Sequence, residues 1–534
     1  MDFLQLSNIT FAMVNPIRLL PFLPLALGAS TAKPTADHCT SFGASLNLPN
    51  TKVLHTTHLP GNQTFSLPGA DSTCDQSTTA AASLCRLSLV VNTTTSSQVQ
   101  MELWLPDDWS GRTSVVGNGG LNGCIDYANL NYLSSYNFAV VGSNNGHNGT
   151  GGAPFLNAPE VITDFAWRAI HTESDMVKEI VKRYYGKKQK KAYYVGCSTG
   201  GRQGFKSAQD FPEDFDGILA GAPAFDFNHL LGWSGILSRY NGAPSGKPII
   251  GKELLAEVGK DIISQCDMID GVKDGIIDHP DQCIYRPEAM LCSETKKDLC
   301  LTPQQAEVIR RIFEPIYGMD GKLLYPRYEP GADFGGYATM TFSGDLFQYA
   351  LDWAKYVVYN NTSYTGSDYG LQTIAAADAL NPGNISTWKQ DLSAFSTRGG
   401  KVISYHGRAD PLIPSGNSAR YYDGVVRTMG QSKVSEFYRL FMAPGMGHCG
   451  GGVGADMFGQ IGRLQTGIPK DKEHNILLAL IDWVENGKAP EQITGTKIVN
   501  ETVEAQRVHC PYPGKSVLLK GGDWRKAGSW KCVA

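Results

Sequence analysis

From residue 99 to about 225 the chain alternates short apolar runs with longer stretches whose apolar positions recur at helical spacing. "VQMELWLP", "TSVVGNGG", "NFAVVGSNNG", "KAYYVGCS" and "FDGILAGAPA" read as strands. "AWRAIHTESDMVKEIVKRYYG" and the segment following "KAYYVGCS" read as helices. Buried apolar strands separated by amphipathic helices imply a mostly parallel sheet covered on both faces, an α/β fold. The same style returns in "GGKVISYHG" (399–407) and "SEFYRLFMA" (435–443). Between roughly 227 and 393 it lapses into acidic turns, four cysteines and many aromatics, including Trp233, Tyr325, Phe334, Tyr337, Phe342, Phe347, Trp353 and Tyr356. We read this segment as an insertion over the carboxyl edge of the sheet, where α/β folds place their sites.

Composition narrows the classes. A net charge of −4 with 18% charged residues and no long basic run gives no footprint for nucleic acid or an anionic membrane. Twelve cysteines, some close in sequence (266/283, 292/300, 510/532), suggest a disulfide framework and an oxidising compartment, although spacing alone does not fix the connectivity. "IRLLPFLPLALGASTA", from Ile17 to Ala32, has the features of a secretory leader cleaved between Gly28 and Ala32, so residues 1–30 are expected to be a signal peptide. The first twelve residues carry Asp2 and no Lys or Arg, which makes Met13 the more ordinary start. No other apolar stretch approaches the roughly 18 residues of a membrane span, so the mature protein is expected to be soluble and extracellular. Sequons at Asn62, Asn92, Asn148, Asn360, Asn361, Asn384 and Asn500 fit a secreted glycoprotein.

The candidate chemistry centres on "YYVGCSTGGRQG" (193–204), a GxSxG placed after a strand and before a helix. In such an elbow, small residues permit the sharp turn that lifts the serine hydroxyl clear of the sheet, which makes Ser198 the candidate nucleophile. A serine also needs a base and a carboxylate that orients it, supplied in α/β-hydrolases in the order Ser, Asp, His on loops after later strands. Asp410 in "HGRADPLIP" and His448 in "GMGHCGG" occupy those places. The plainer readings are a turn-capping aspartate and a buried structural histidine. Oxyanion donors would be the backbone N–H of Thr199 and that of Gly119 or Gly120 in "VVGNGGLNG", which also reads as a tight structural turn. Cys197 precedes Ser198 and Cys449 follows His448, so a serine and histidine in hydrogen-bond reach would bring the two sulfurs close enough to bridge.

These landmarks, with "RAIHTESDMVKEIVKRYYG" and "DFDGILAGAPA", make the chain resemble the tannase and feruloyl esterase family over most of its mature length. The resemblance implies an α/β-hydrolase fold, with residues 31–226 and 394–534 as the catalytic domain and 227–393 as an inserted lid domain. It implies a Ser198, Asp410, His448 triad and a Cys197–Cys449 bridge. It also implies the pairings Cys39–Cys85, Cys74–Cys124, Cys266–Cys283, Cys292–Cys300 and Cys510–Cys532.

"CDMIDGVKDGIIDHPDQC" (266–283) reads either as a solvated acidic turn or as a hard-cation loop, and it lacks EF-hand spacing. The resemblance implies a structural Ca²⁺ in this lid loop, held by Asp267, Asp270 and Asp274 and the carbonyls of Val272 and Ile276, with no organic cofactor. The expected activity is hydrolysis of ferulate, caffeate or p-coumarate esters of plant cell-wall sugars or quinate, the substrate being a small phenolic ester or a feruloylated polysaccharide. A gallate-ester hydrolase is the alternative. A catalytically silent secreted binding protein and a serine peptidase on the same fold are the competing classes. The oligomeric state stays open.

Overall fold

A computed structural model describes residues 34–462 and 467–533. The expected signal peptide and the Met13 start lie outside the described residues. Nine strands form the central sheet: β1 (Thr51–Leu59), β2 (Leu84–Asn92), β3 (Gln98–Pro106), β4 (Arg112–Val116), β5 (Ala139–Ser143), β6 (Lys191–Cys197), β7 (Gly217–Gly221), β8 (Lys401–Gly407) and β9 (Tyr438–Ala443). Their order is β1-β2-β3-β5-β4-β6-β7-β8-β9. Strands β4 to β9 pair in parallel, while β1, β2 and β3 add an antiparallel flank joined through β5. The sheet is therefore mixed, with the parallel half carrying the motifs read above.

Alternation along β6 shows how the sequence builds two cores. Tyr193 and Val195 pack on one face with Leu219, Ile403 and Phe441, beneath helices α1 (Tyr127–Ser135) and α6 (Ile476–Asn486). Ala192 and Tyr194 turn to the other face with Ile218, Val402 and Leu440, beneath α2 (Ala169–Tyr184), α3 (Thr199–Asp210) and α5 (Gly416–Met429). A strand buried on both faces can be apolar throughout, which is why the β6 and β8 segments read as continuous runs.

The 227–393 segment leaves the sheet after β7 and returns at β8, beginning with α4 (Phe227–Tyr240). Trp233, Tyr325, Phe334, Phe342 and Trp353 are buried in a third apolar cluster that also takes in Phe155, Phe165 and Phe227. Most aromatics of the insertion thus make its own core and fasten it to the sheet domain, and residues 34–534 cluster as one compact unit. Tyr337 and Tyr317, 53% and 52% exposed, are exceptions. Among the described residues no helix is long and apolar enough to cross a membrane.

Candidate active site

Ser198 stands between β6 and α3 with φ 65° and ψ −122°. An L-residue in that region costs on the order of 1–3 kcal/mol, which its surroundings must over-determine. They do so from both sides of the residue: Ser198 N–H donates to the Gly221 carbonyl at 2.9 Å, and the Ser198 carbonyl accepts from Arg202 and Ala224. The turn also needs close backbone approach, since a Cβ at Gly201 would lie 2.3 Å from the Gly221 oxygen. These contacts lift Ser198 above the sheet at the N-terminus of α3, where unpaired N–H groups and the helix dipole favour negative charge.

Asp410 and His448 lie on the loops after β8 and β9. His448 Nδ1 donates to Asp410 Oδ2 at 2.7 Å, so that in the neutral ring Nε2 is the nitrogen free to accept a proton. Asp410 is fully buried, and Leu412 N–H and Ile413 N–H donate to its other oxygen at 2.8 and 3.0 Å. Burial opposes its charge, but the charge of His448 and hydrogen bonds from His406 and His448 outweigh burial and hold the carboxyl below the ordinary range. His406 lies within β8. It is buried, and its Nε2 donates to Asp410 Oδ2 at 3.2 Å and to the Ile413 carbonyl at 2.9 Å, while Ser418 Oγ donates to its Nδ1 at 2.7 Å. It fixes the carboxylate that orients His448.

Ser198 and His448 line one cleft of about 530 Å³ with Gly119, Gly120, Tyr337, Tyr349 and Leu412. The Tyr337 ring stands 6.4 Å from the His448 imidazole, nearly perpendicular to it. Tyr349 packs so closely on the glycine-rich turn that a Cβ at Gly120 would lie 2.6 Å from its ring. The turn is pinned from below: Thr199 Oγ1 donates to the Gly120 carbonyl at 2.7 Å. Asn118 N–H donates to Gln203 Oε1 at 3.1 Å, and Asn118 Nδ2 donates to the Cys124 and Ser143 carbonyls. None of the N–H groups of Thr199, Gly119 and Gly120 donates to a protein acceptor among the described residues. The cleft thus brings aromatic rings together with backbone donors available to an oxyanion.

Cys197 and Cys449 are bridged, with Cα atoms 6.0 Å apart across 252 residues of chain. The remaining bridges are Cys39–Cys85, Cys74–Cys124, Cys266–Cys283, Cys292–Cys300 and Cys510–Cys532, leaving no free cysteine among the described residues. The 197–449 bridge ties the residue before the serine to the residue after the histidine, so it restrains their separation directly. In the double variant Cys197→Ser/Cys449→Ser we expect kcat/KM to fall about 10- to 100-fold while far-UV circular dichroism is retained. Unchanged kcat/KM would show that the loops hold their geometry without the bond.

In the acidic loop, Asp267 Oδ1 accepts from Asp274 and Gly275 N–H, Asp270 Oδ1 from Val272 N–H, and Asp274 Oδ1 from Ile276 N–H. Asp270 Oδ2, Asp274 Oδ2 and Asp278 Oδ1 are buried without hydrogen-bond partners. Burial, then the charge of Asp278, push Asp270 up to about 7 and Asp274 up to about 6. Arg507 answers part of this charge, 3.8 Å from Asp274 and hydrogen-bonded to Asp278. Among the described residues no three acidic, imidazole or thiol side chains converge at ligating spacing. The fit to a hard cation is therefore one of donor chemistry rather than of a preformed cage.

Known proteins resemble this chain along most of its length. The sequence profile of a family described as tannase and feruloyl esterase matches residues 85–363 and 354–533. A probable feruloyl esterase B-2 of Aspergillus terreus is 43% identical over 523 residues, 96% of this chain and 99% of that one. The crystal structure of feruloyl esterase B from Aspergillus oryzae superimposes with a TM-score of 0.89 at 42% identity, covering 93% of this chain and all of that one. A tannin acyl hydrolase from Aspergillus niger shares the fold at 23% identity, with a TM-score of 0.75 over 94% of this chain and 96% of that one. The chain belongs to the tannase and feruloyl esterase family.

Proposed function

We propose that this protein is a serine carboxylic-ester hydrolase that releases hydroxycinnamic acids such as ferulate, caffeate and p-coumarate from plant cell-wall or quinate esters. The observation that carries the reading is the Asp410–His448 pair opening into the same cleft as an elbow serine, beside an aromatic wall of Tyr337 and Tyr349. The relatives named feruloyl esterase, similar along nearly the whole chain, support the same acyl group.

Ser198 Oγ attacks the ester carbonyl carbon as its proton passes to His448 Nε2. The oxyanion that forms meets the N–H of Thr199 and that of Gly119 or Gly120. Collapse breaks the bond to the alcohol, which leaves with the proton from His448. Water then attacks the acyl-enzyme, giving its proton to the same imidazole; collapse breaks the bond to Ser198 Oγ, the imidazolium returns the proton to that oxygen, and the carboxylic acid departs. Asp410 stays ionised throughout and stabilises the imidazolium. A planar phenolic ring suits the aromatic wall, since ring faces and edges pack favourably on Tyr. The kcat/KM values on methyl ferulate, caffeate, p-coumarate and gallate test the reading. We expect the hydroxycinnamates to exceed gallate by at least tenfold, and the reverse order would make the protein a gallate-ester hydrolase.

The bridged cysteines and the exposure of all seven sequon asparagines support export and glycosylation. The orphaned oxygens of Asp270, Asp274 and Asp278 support a cation in the 266–283 loop, with Asp267 shaping the turn and the Val272 and Ile276 carbonyls as further donors. When bound, Ca²⁺ would neutralise the buried carboxylates and stiffen the insertion, taking no part in the acyl transfer. Chelation with verified metal removal is expected to lower the thermal midpoint by several degrees. An unchanged midpoint would leave the loop an acidic turn.

A further inference from the structure

The catalytic cleft does not end at its polar rim. Cys74, Asp75, Cys124 and Ile125 line it on one side and, on the other, line a second groove of about 290 Å³. The Cys74–Cys124 bridge forms the sill between the two hollows. The groove lies over β2, β3 and the start of α1, on the sheet domain and away from the insertion. At its floor Arg86 Nε donates to Glu102 Oε2 at 2.8 Å, and a second guanidinium nitrogen bonds the other carboxylate oxygen. Glu102 is only 2% exposed, and the guanidinium rests on the Phe65 ring at 4.6 Å, so this pair is rigid and internally neutralised. Above it, Gln100 is fixed through its backbone, whose N–H donates to Asn144 Oδ1 at 2.9 Å. The Gln100 carboxamide has no partner among the described residues. Asn144 Nδ2 in turn donates to Asn148 Oδ1 at 3.1 Å, and Asn148 is exposed.

Such a surface offers planar amides with both donors and acceptors, held on rigid strands, and a floor cation already satisfied by its own carboxylate. It suits a neutral, polyhydroxylated ligand better than an anion or an apolar chain, because each hydroxyl both donates and accepts. The cleft also holds Tyr337, Tyr349 and Leu412, the surface proposed to take the planar acyl group, which leaves its polar lining, Thr73 and Asp75 included, to the alcohol half of the ester. That lining leads over the Cys74–Cys124 sill.

We propose that the groove beyond the Cys74–Cys124 bridge is a saccharide subsite, which binds the sugar units next to the esterified one on the leaving-group side. The proposal rests on the esterase reading and extends it, since it makes an ester of a neutral oligosaccharide a better substrate than a simple alkyl ester. Binding energy gained in this groove is remote from the reacting carbonyl and serves to orient it.

The test is a series in which the acyl group is constant and the leaving group grows: methyl ferulate, a feruloyl monosaccharide and a feruloyl trisaccharide. Asn148 begins a sequon at the groove's rim, so the series is run on Thr150→Ala, which removes the sequon and keeps the Asn148 carboxamide, beside the wild type. We expect kcat/KM to rise about tenfold or more from the methyl ester to the trisaccharide ester, and the unesterified trisaccharide to inhibit competitively. In Gln100→Ala, whose lost side chain has no partner in the fold, the trisaccharide-to-methyl ratio should fall about fivefold, the worth of one neutral hydrogen bond. A flat series with methyl ferulate still hydrolysed, or an unchanged ratio in folded Gln100→Ala, would overturn the subsite alone. Failure to hydrolyse any member would instead overturn the esterase reading.

Discussion

Ser198→Ala is expected to lower kcat on methyl ferulate by about a million-fold while substrate still binds. In the proposed mechanism the serine supplies the atom that forms the acyl-enzyme, which neither His448 nor the oxyanion donors can replace. What survives should be the roughly 10³- to 10⁴-fold advantage over water that oxyanion stabilisation and binding provide alone. The variant should also be slightly more stable than wild type, since alanine removes a polar group while the strained backbone at φ 65° is kept by Gly221, Arg202 and Ala224. Retention of more than about one per cent of wild-type kcat in a folded protein would mean that another group is acylated.

Asp410→Asn should cost about 10⁴-fold in kcat. Both carboxylate oxygens face donors: Oδ2 receives His448 Nδ1–H and His406 Nε2–H, and Oδ1 receives the Leu412 and Ile413 N–H groups. An amide has only one acceptor oxygen, so either orientation of Asn sets an NH₂ against two donors. The cheapest relief is for His448 to move its proton to Nε2, the nitrogen that must be free to act as base. Stability should respond to pH with a definite sign. The folded carboxyl of Asp410 lies below its unfolded value of about 3.9, so its contribution is present above that value and is lost as pH falls through the lower folded one. The stability gap between wild type and Asp410→Asn should therefore be full at neutral pH and narrow in acid.

What the sequence made legible was local. The serine elbow is a strand, a turn and a helix within twenty residues, and its glycines are forced by backbone contacts such as that of Gly201 with Gly221. Asp410 and His448 each follow a largely buried strand, in which apolar residues predominate. Cys197 and Cys449 were legible because each adjoins a catalytic candidate. The antiparallel flank was not. In β1, "TKVLHTTHL" is half exposed along its length and carries four polar residues in a row, so it gives no strand signal without its partner β2. The cleft wall was hidden for a different reason. Tyr337 stands among insertion aromatics of the same type, and only the fold shows that Trp233, Phe334 and Trp353 turn inward while Tyr337 reaches His448. His406 was hidden by burial, since its role depends on the Asp410 loop folding back onto the end of its own strand.

The central claim is that Ser198 carries the acyl group between the two halves of the reaction. Peptide mass spectrometry after rapid acid quench of the enzyme with an activated feruloyl ester tests it most directly. A feruloyl increment is expected on the peptide containing Ser198 during turnover, absent in Ser198→Ala. An acylated peptide from elsewhere in the chain, or full turnover with no acylated peptide at any quench time, would contradict it.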